Sequence, residues 1–566
     1  MVSVLSYSII SPLGDTAATN YAAVSQGRSG VRAWQEHWEI PGTFMASLFD
    51  EGLLAHVRKD GLTRLESLAL ASIHDAMSGM DLSPKHERTV LVLSTTKGNI
   101  ELLGTDTVSE RVLPISSAVM IAKALGLTTT PIVVDNACVS GLSALILAQR
   151  LIETDACDRA IVCGVECQSK FIISGFQSLK AMSSGPCRPF DIDRMGLNLG
   201  EAVATMVLGR TAGCGWFLSK GAQRNDAYHL GSPSKEGLGA AMALCEVTDG
   251  VPLSDIGFIN AHGTATLFND QMESVAIERA GLSAVPVNGL KGCYGHTMGA
   301  CGLVETIISM QALDHGVVLP TKGFAERGVS GKIKVSSEGV KEIKGQSFVK
   351  MLSGFGGCNV AVLMTKNRGN AEAILSLPSL RKTLHVQLSS ARVMVNGKKL
   401  KTCSSGRQLL TELYKTYVGD YSRFYKMDML SRLGFVATEL LLRAEGKKSS
   451  EKGRSDRAIV FIGRSGSVVA DKAFYDSIKD ADNYFPSPER FVYTLPNIVT
   501  GEVAIRNHYH GETAYYSIPE KDDALIGQIV RSAFLDTATR SVIGGWLECG
   551  AEDEFEADIY LIEHNS

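Results

Sequence analysis

The chain has 566 residues, 45% hydrophobic and 20% charged, with a formal net charge of −4. That length predicts two or three domains of ordinary globular type, and the charge balance offers nothing to a nucleic acid backbone or an anionic membrane surface. No apolar run is long enough to span a bilayer, no signal-like segment opens the chain, and the 12 cysteines form no CxxC pair; membrane insertion, a disulfide framework and a zinc site are therefore not expected, and a reducing cytoplasm is.

In chain order, residues 2–10 read as a strand, followed by a turn at 11–14 and a loop at 26–30. Residues 62–77 have helical spacing, 89–94 form a short buried strand, and 117–125 form a helix capped by Gly126. Ile132, Val133 and Val134 predict another buried strand, Ser140 and Gly141 a tight turn, and residues 142–151 a helix. Cys138 thus sits on a strand-to-helix corner, facing unpaired N–H groups and the positive end of a helix dipole. Such a corner is expected to lower a thiol from its free value of ~8.5 and favour the nucleophilic thiolate. A buried structural cysteine is the other reading. Residues 159–166 and 202–209 add further apolar strands, and the alternation indicates an α/β architecture with covered sheets.

Two more clusters follow. Residues 255–260 predict a strand, and the loop after it carries His262, Thr264 and Thr266, at the strand end where α/β sheets tend to bind ligands. Residues 287–305 carry Lys291, His296 and several glycines, with a helix starting near Ala300. Each has a plainer reading when taken alone: a satisfied surface histidine for His262, a C-cap or loop histidine for His296, a solvated lysine for Lys291.

Taken together and in this order, Asp135-Asn-Ala-Cys138-Val-Ser-Gly141, Asn260-Ala-His262-Gly-Thr264-Ala-Thr266 and Lys291-Gly-Cys-Tyr-Gly-His296-Thr-Met-Gly-Ala300 resemble the motifs of the β-ketoacyl-[acyl carrier protein] synthases, ketosynthases of thiolase fold. Ser11-Pro-Leu-Gly14, Gly27-Arg-Ser-Gly30, Arg188-Pro-Phe-Asp191 with Arg194, Gly196 and Glu201, and Gly354-Phe355-Gly-Gly-Cys358-Asn359 agree with the family in order. The resemblance covers residues 1–366. Thr95-Thr-Lys97-Gly-Asn99 departs from a more glycine-rich stretch, Ala202 stands for a glycine, Cys358 stands for a threonine, and the domain is shorter than the family norm.

The resemblance implies a thiolase-like duplicated αβαβα layered fold and decarboxylative Claisen condensation. Cys138 would be the acyl-accepting nucleophile. His262 and His296 would donate hydrogen bonds to the enolate left when a malonyl thioester loses carbon dioxide. The backbone N–H groups of Cys138 and Phe355 would stabilise the acyl oxyanion, with Phe355 also a gate. Lys291 would orient His296 or tune the site's charge. Thr264 and Thr266 would bind the phosphopantetheine arm, and Asp270 and Glu273 would support the active-site loop, unless those two acids are merely solvated. No metal or nucleotide is expected; the arm arrives on an acyl carrier protein, which is the implied partner, in a homodimer or a heterodimer with another ketosynthase-like subunit. Fatty-acid, polyketide and aryl-polyene type pathways all use such enzymes. A priming or decarboxylating enzyme and a non-catalytic chain-length-factor-like partner are the alternatives.

Beyond residue 366 the pattern changes. Residues 443–457 read as a charged loop. At an offset of 382, which brings Glu548 onto Glu166, residues 540–548 match 158–166, Leu495-Pro496 match Leu113-Pro114, and residues 514–517 match 132–135. With an insertion, residues 457–462 match 88–93. Residues 367–566 therefore read as an additional α/β half-thiolase-like lobe, a degenerate copy of the N-terminal lobe with Glu520 in the place of Cys138 and no copy of the histidine clusters.

Overall fold

The apolar runs form three sheets in the computed structural model, which describes residues 1–80, 88–105, 110–211, 213–367, 374–446, 453–480 and 482–565. In the first, β1 (Val2–Ile10), β2 (Thr89–Ser94), β3 (Ile132–Val134), β4 (Arg159–Glu166) and β5 (Ala202–Gly209) lie in the order β3-β2-β4-β5-β1, the first three parallel and the last two joined antiparallel. The second, with β6 (Phe217–Asn225), β7 (Ile256–Asn260), β8 (Pro286–Asn288), β9 (Ser347–Gly354) and β10 (Cys358–Thr365), repeats that order and those directions as β8-β7-β9-β10-β6. So does the third, with β11 (Leu380–Ser389), β12 (Arg457–Gly463), β13 (Thr513–Ser517), β14 (Ser541–Ala551) and β15 (Glu554–His564) in the order β13-β12-β14-β15-β11.

Helices cover both faces. On the first sheet, α1 (Arg64–Ala76) starts at a capping box of Thr63 with Glu66, and α2 (Pro114–Leu125) has Pro at its first position and left-handed Gly126 at its end. On the inner side, α3 (Ser140–Glu153) is buried over nearly its whole circumference, as a helix sandwiched between two sheets must be. The second sheet carries α4 (Leu238–Thr248) and α5 (Leu267–Arg279) outside and the long buried α6 (Met298–Asp314) inside. The third carries α7 (Met429–Ala444), α8 (Ile498–Asn507) and, inside, α9 (Asp523–Ser532). One core joins α3, α6 and α9, with Leu142, Leu145, Leu303, Ile307 and Ile529 among its members. The fold is the layered α/β arrangement that the sequence implies.

Two further pairings lock the sheets together. β1 pairs antiparallel with β6, at Val2 with Leu218. β3, the strand leading to Cys138, pairs antiparallel with β13, at Val134 with Tyr516 and Val133 with Ser517. The copy of the strand therefore meets its counterpart edge to edge, and Tyr515 and Tyr516 are buried there.

Two local expectations change. Ser140 and Gly141 are not a turn but the first residues of α3; the chain reverses one step earlier, at Ala137, whose φ is 50°. The expected charged loop over 443–457 is helical to Ala444 and strand from Arg457, and its residues 447–452 lie outside the described residues. Among the described residues no helix is long and apolar enough to cross a membrane.

Candidate active site

The site forms where α3 and α6 cross, and glycines set the distance. A Cβ at Gly302 would lie 2.7 Å from Leu142 N, and one at Gly141 would lie 3.0 Å from Gly299 O. Only glycine lets the two backbones approach this closely. The crossing brings the residues just before each helix together, Cys138 before α3 and His296 before α6.

Cys138 sits in a single 3-10 turn, Ala137–Val139. The positive φ of Ala137 costs about 1–3 kcal/mol and is held by its surroundings. Asn136 N–H donates to Ser140 Oγ at 2.8 Å, Ser140 Oγ donates to Ala137 O at 2.6 Å, and Tyr515 N–H of β13 donates to Asn136 Oδ1 at 2.7 Å. The third unit thus helps to hold the corner. The thiol is not lowered by the corner, as its sequence position suggests. Burial pushes it up, with neighbouring Cys301 adding to the rise and Lys291 opposing it. Desolvation outweighs the helix end because Cys138 is only 9% exposed.

The ligand atoms of Cys138, His262 and His296 all lie within 4.8 Å of one another, and the two imidazoles meet edge to face with centroids 5.0 Å apart. Both histidines are buried, so neither is the surface or loop residue of the plainer readings. Met298 N–H donates to His296 Nδ1 at 3.2 Å, which puts the proton of the neutral ring on Nε2. His296 Nε2 and His262 Nδ1 have no hydrogen-bond partner among the described residues. Burial lowers both rings well below the ordinary histidine pKa, and Lys291 adds to the effect. The pair therefore stays neutral at physiological pH. The same three residue types, with ligand atoms this close, can also ligate a divalent ion.

Lys291 is fully buried, not solvated. It does not reach His296; its Nζ donates to His262 O at 2.7 Å and to Glu305 at 2.8 Å. It therefore holds the His262 loop rather than the His296 ring. Lys350 of β9 takes the other oxygen of Glu305 at 2.6 Å and donates to Ala261 O at 3.0 Å. Two lysines share one carboxylate beside the His262 loop. Burial works against the charge of both; Glu305 still holds Lys291 above the ordinary lysine value, whereas Lys350 falls below it. Lys350 and Glu305 were not assigned roles from the sequence. The signal was a lone charge in the apolar run Phe348-Val-Lys350-Met-Leu352.

Asp270 and Glu273 are fully buried, not solvated. Glu273 accepts the N–H groups of His262 at 2.6 Å and Gly263 at 2.7 Å, and Asp270 accepts those of Phe190 at 2.6 Å and Ala265 at 3.2 Å. Burial pushes Glu273 up to about 7 and Asp270 up to about 6. Glu166 does the same for α6, accepting Thr96 N–H at 3.0 Å and Gly299 N–H at 2.9 Å, and burial raises it to about 7. Thr264 and Thr266 bond each other at 2.9 Å.

One cavity of about 1000 Å³ is lined by Cys138, His262, His296, Thr264, Thr266 and Phe355 and, from the third unit, by Arg423, Lys426, Val492 and Tyr493. Phe355 stacks on Phe176 at 6.2 Å and separates this cavity from a void of about 20 Å³ behind Cys138. That void is closed by Phe491 and Leu495 of the third unit and by Lys97. Lys97, one of the departures noted above, is buried and paired with Asp471 at 2.9 Å. Asp135 and Ala202 are buried within the fold.

Comparison with known proteins agrees. The family models for the N-terminal and C-terminal domains of beta-ketoacyl synthases match residues 1–212 and 216–325. Nodulation protein E of Rhizobium meliloti (strain 1021) is 29% identical over 324 residues, 55% of this chain and 79% of that protein. The 3-oxoacyl-[acyl-carrier-protein] synthase 2 of Vibrio cholerae is 28% identical over 409 residues, 64% of this chain and 99% of that protein. A solved structure, the PfaC keto synthase–chain length factor, superposes with a TM-score of 0.78 at 15% identity, over 100% of this chain and 78% of that one; the likeness in fold therefore extends through the third sheet. By sequence over residues 1–212 and 216–325, more than half of its length, the chain belongs to the β-ketoacyl synthase family of acyl-transferring condensing enzymes.

Proposed function

We propose that this ketosynthase elongates a carrier-bound acyl chain on Cys138 by decarboxylative condensation with a malonyl thioester. The observation that carries the reading is a thiol and two buried imidazoles whose ligand atoms lie within 4.8 Å of one another on one large cavity. In the first step the Cys138 sulfur forms a bond to the acyl carbonyl carbon, the bond to the carrier's phosphopantetheine sulfur breaks, and the thiol proton passes to the departing sulfur. In the second, the malonyl carboxylate leaves as carbon dioxide and the enolate oxygen receives hydrogen bonds from His262 and His296. In the third, the enolate carbon bonds to the acyl carbon and the bond to Cys138 breaks, returning the sulfur to be protonated.

Thr264 and Thr266 are proposed to hold the phosphopantetheine arm, which the acyl carrier protein supplies, so that no resident cofactor takes part. All 12 cysteines are unpaired, which supports a reducing, cytoplasmic setting. Residues 1–366 are proposed as the catalytic domain and 367–566 as a degenerate, non-catalytic copy of its N-terminal lobe. Glu520, in the register of Cys138, is exposed. The test is intact-mass spectrometry after incubation with a panel of acyl carrier proteins. The wild-type chain gains one acyl group and Cys138→Ala gains none; covalent acylation of that variant would remove the nucleophile assignment.

A further inference from the structure

The turn that carries Phe355 is held from behind by the unit that does no chemistry. Asn497 occupies the N-cap position of α8, where asparagine normally bonds its own helix's N–H groups. Here it makes no such cap. Its Nδ2 donates instead to Phe355 O at 2.8 Å and faces Cys358 Sγ at 3.7 Å. One helical turn on, Gly501 lies against the same loop: a Cβ there would meet Gly356 O at 2.7 Å and Gly356 Cα at 2.9 Å.

The turn is also held from within residues 1–366, where Gly356 N–H donates to Leu230 O at 2.7 Å and Asp226 N–H donates to Gly357 O at 2.8 Å. Asn225 Nδ2 donates both to Gly356 O at 2.8 Å and to Thr513 Oγ1 of β13 at 2.9 Å. Cys358 Sγ, at the position noted as a departure from threonine, lies 3.2 Å from that hydroxyl. Gly356 and Gly357 take φ of 86° and 76°, so the turn has no stiff side chain of its own to fix it. At its other end the turn touches the nucleophile, since a Cβ on Gly354 would lie 3.4 Å from Cys138 N.

We infer that Asn497 is a positioning residue for acyl transfer. Through its bond to Phe355 O, the third unit fixes the peptide that follows Phe355, while strand β9 fixes the one before it. The ring and N–H of Phe355 are then set against Cys138. This rests on the ketosynthase reading and goes beyond it. It assigns the non-catalytic unit a named atom-to-atom part in the acyl half of the reaction and none in the decarboxylation half.

The test uses the full-length protein with Asn497→Ala and, separately, Gly501→Ala, which presses on the turn without removing a hydrogen bond. Acyl loading of Cys138 and condensation should both fall roughly 10- to 100-fold, the scale of a misplaced or lost oxyanion donor. The loss should appear in kcat rather than in KM for the carrier. Malonyl decarboxylation, measured in a Cys138→Gln background, should stay within about twofold, because its donors are His262 and His296. Unchanged loading in both variants overturns the inference. So does a parallel fall of all three rates with melting temperature, which would mean a purely structural contact. A wild-type chain that loads no carrier-borne acyl group would instead overturn the ketosynthase reading, and the inference with it.

Discussion

At the scale of single residues, burial decides the protonation states and the charges around the site adjust them. Cys138 lies at a helix start, yet its thiol is raised because desolvation of a buried sulfur outweighs the partial charge of a few N–H groups. Its alkylation by iodoacetamide should therefore keep accelerating with pH through about pH 9, with no plateau near neutrality. A plateau below about pH 8 in the rate profile would show the corner winning over burial. For the imidazoles the sign is the reverse: burial and Lys291 both favour the neutral ring. His262→Ala or His296→Ala should cut decarboxylation by about 10²–10³ while leaving acylation of Cys138 much less affected. A variant that elongates at the wild-type rate would exclude that histidine from the site.

At the scale of elements, the reaction depends on how closely α3 and α6 cross. Gly302→Ala puts a methyl 2.7 Å from Leu142 N, where backbone, not a flexible side chain, must yield. The variant should lose about 1–3 kcal/mol of stability by overpacking and lose condensation activity as Cys138 and His296 separate. Thermal melting and steady-state rates check both, and an unperturbed variant would show that the crossing has slack. The strands and helices that carry this crossing were legible in the sequence: β2, β4 and β5 fall on the expected residues, because strands buried on both faces read as unbroken apolar runs. The repeat was legible too. At the offset of 382, α3 maps onto residues 522–535, and α9 begins at Asp523. What lay hidden were contacts between distant segments. Nothing in the neighbourhood of Asn497 or Lys350 announces that one meets Phe355 and the other shares Glu305 with Lys291. The Cys138 pKa was misjudged for the same reason: local sequence shows the helix start, but burial comes from the distant α6 and β9.

For the whole molecule, the third unit is joined to the first sheet edge to edge. Besides β3 with β13, buried charges cross the boundary. Arg150 makes a two-pronged pair with Glu512, both bonds at 2.8 Å, and Arg224 meets Asp536. Arg150 is only 5% exposed. Removing one member of such a pair strands a buried charge, at a cost of about 3–5 kcal/mol. Deleting residues 367–566 would strand Arg150 and Lys97, deprive Arg224 of one partner, and bare the β3 edge. An unpaired edge beside apolar surface is a template for aggregation. The 1–366 fragment is therefore expected to be insoluble or to associate through β3, and Glu512→Ala in the intact chain to lower the melting temperature sharply. Glu520→Ala, on the exposed counterpart of the Cys138 corner, should leave the condensation rate within about twofold, as for a surface residue away from the chemistry. Size-exclusion chromatography of the fragment, together with product analysis, decides the matter. A soluble 1–366 fragment with the oligomeric state and products of the full chain would show that the third unit is dispensable, and that the strand and ion pairs joining it to the catalytic sheets carry no functional weight.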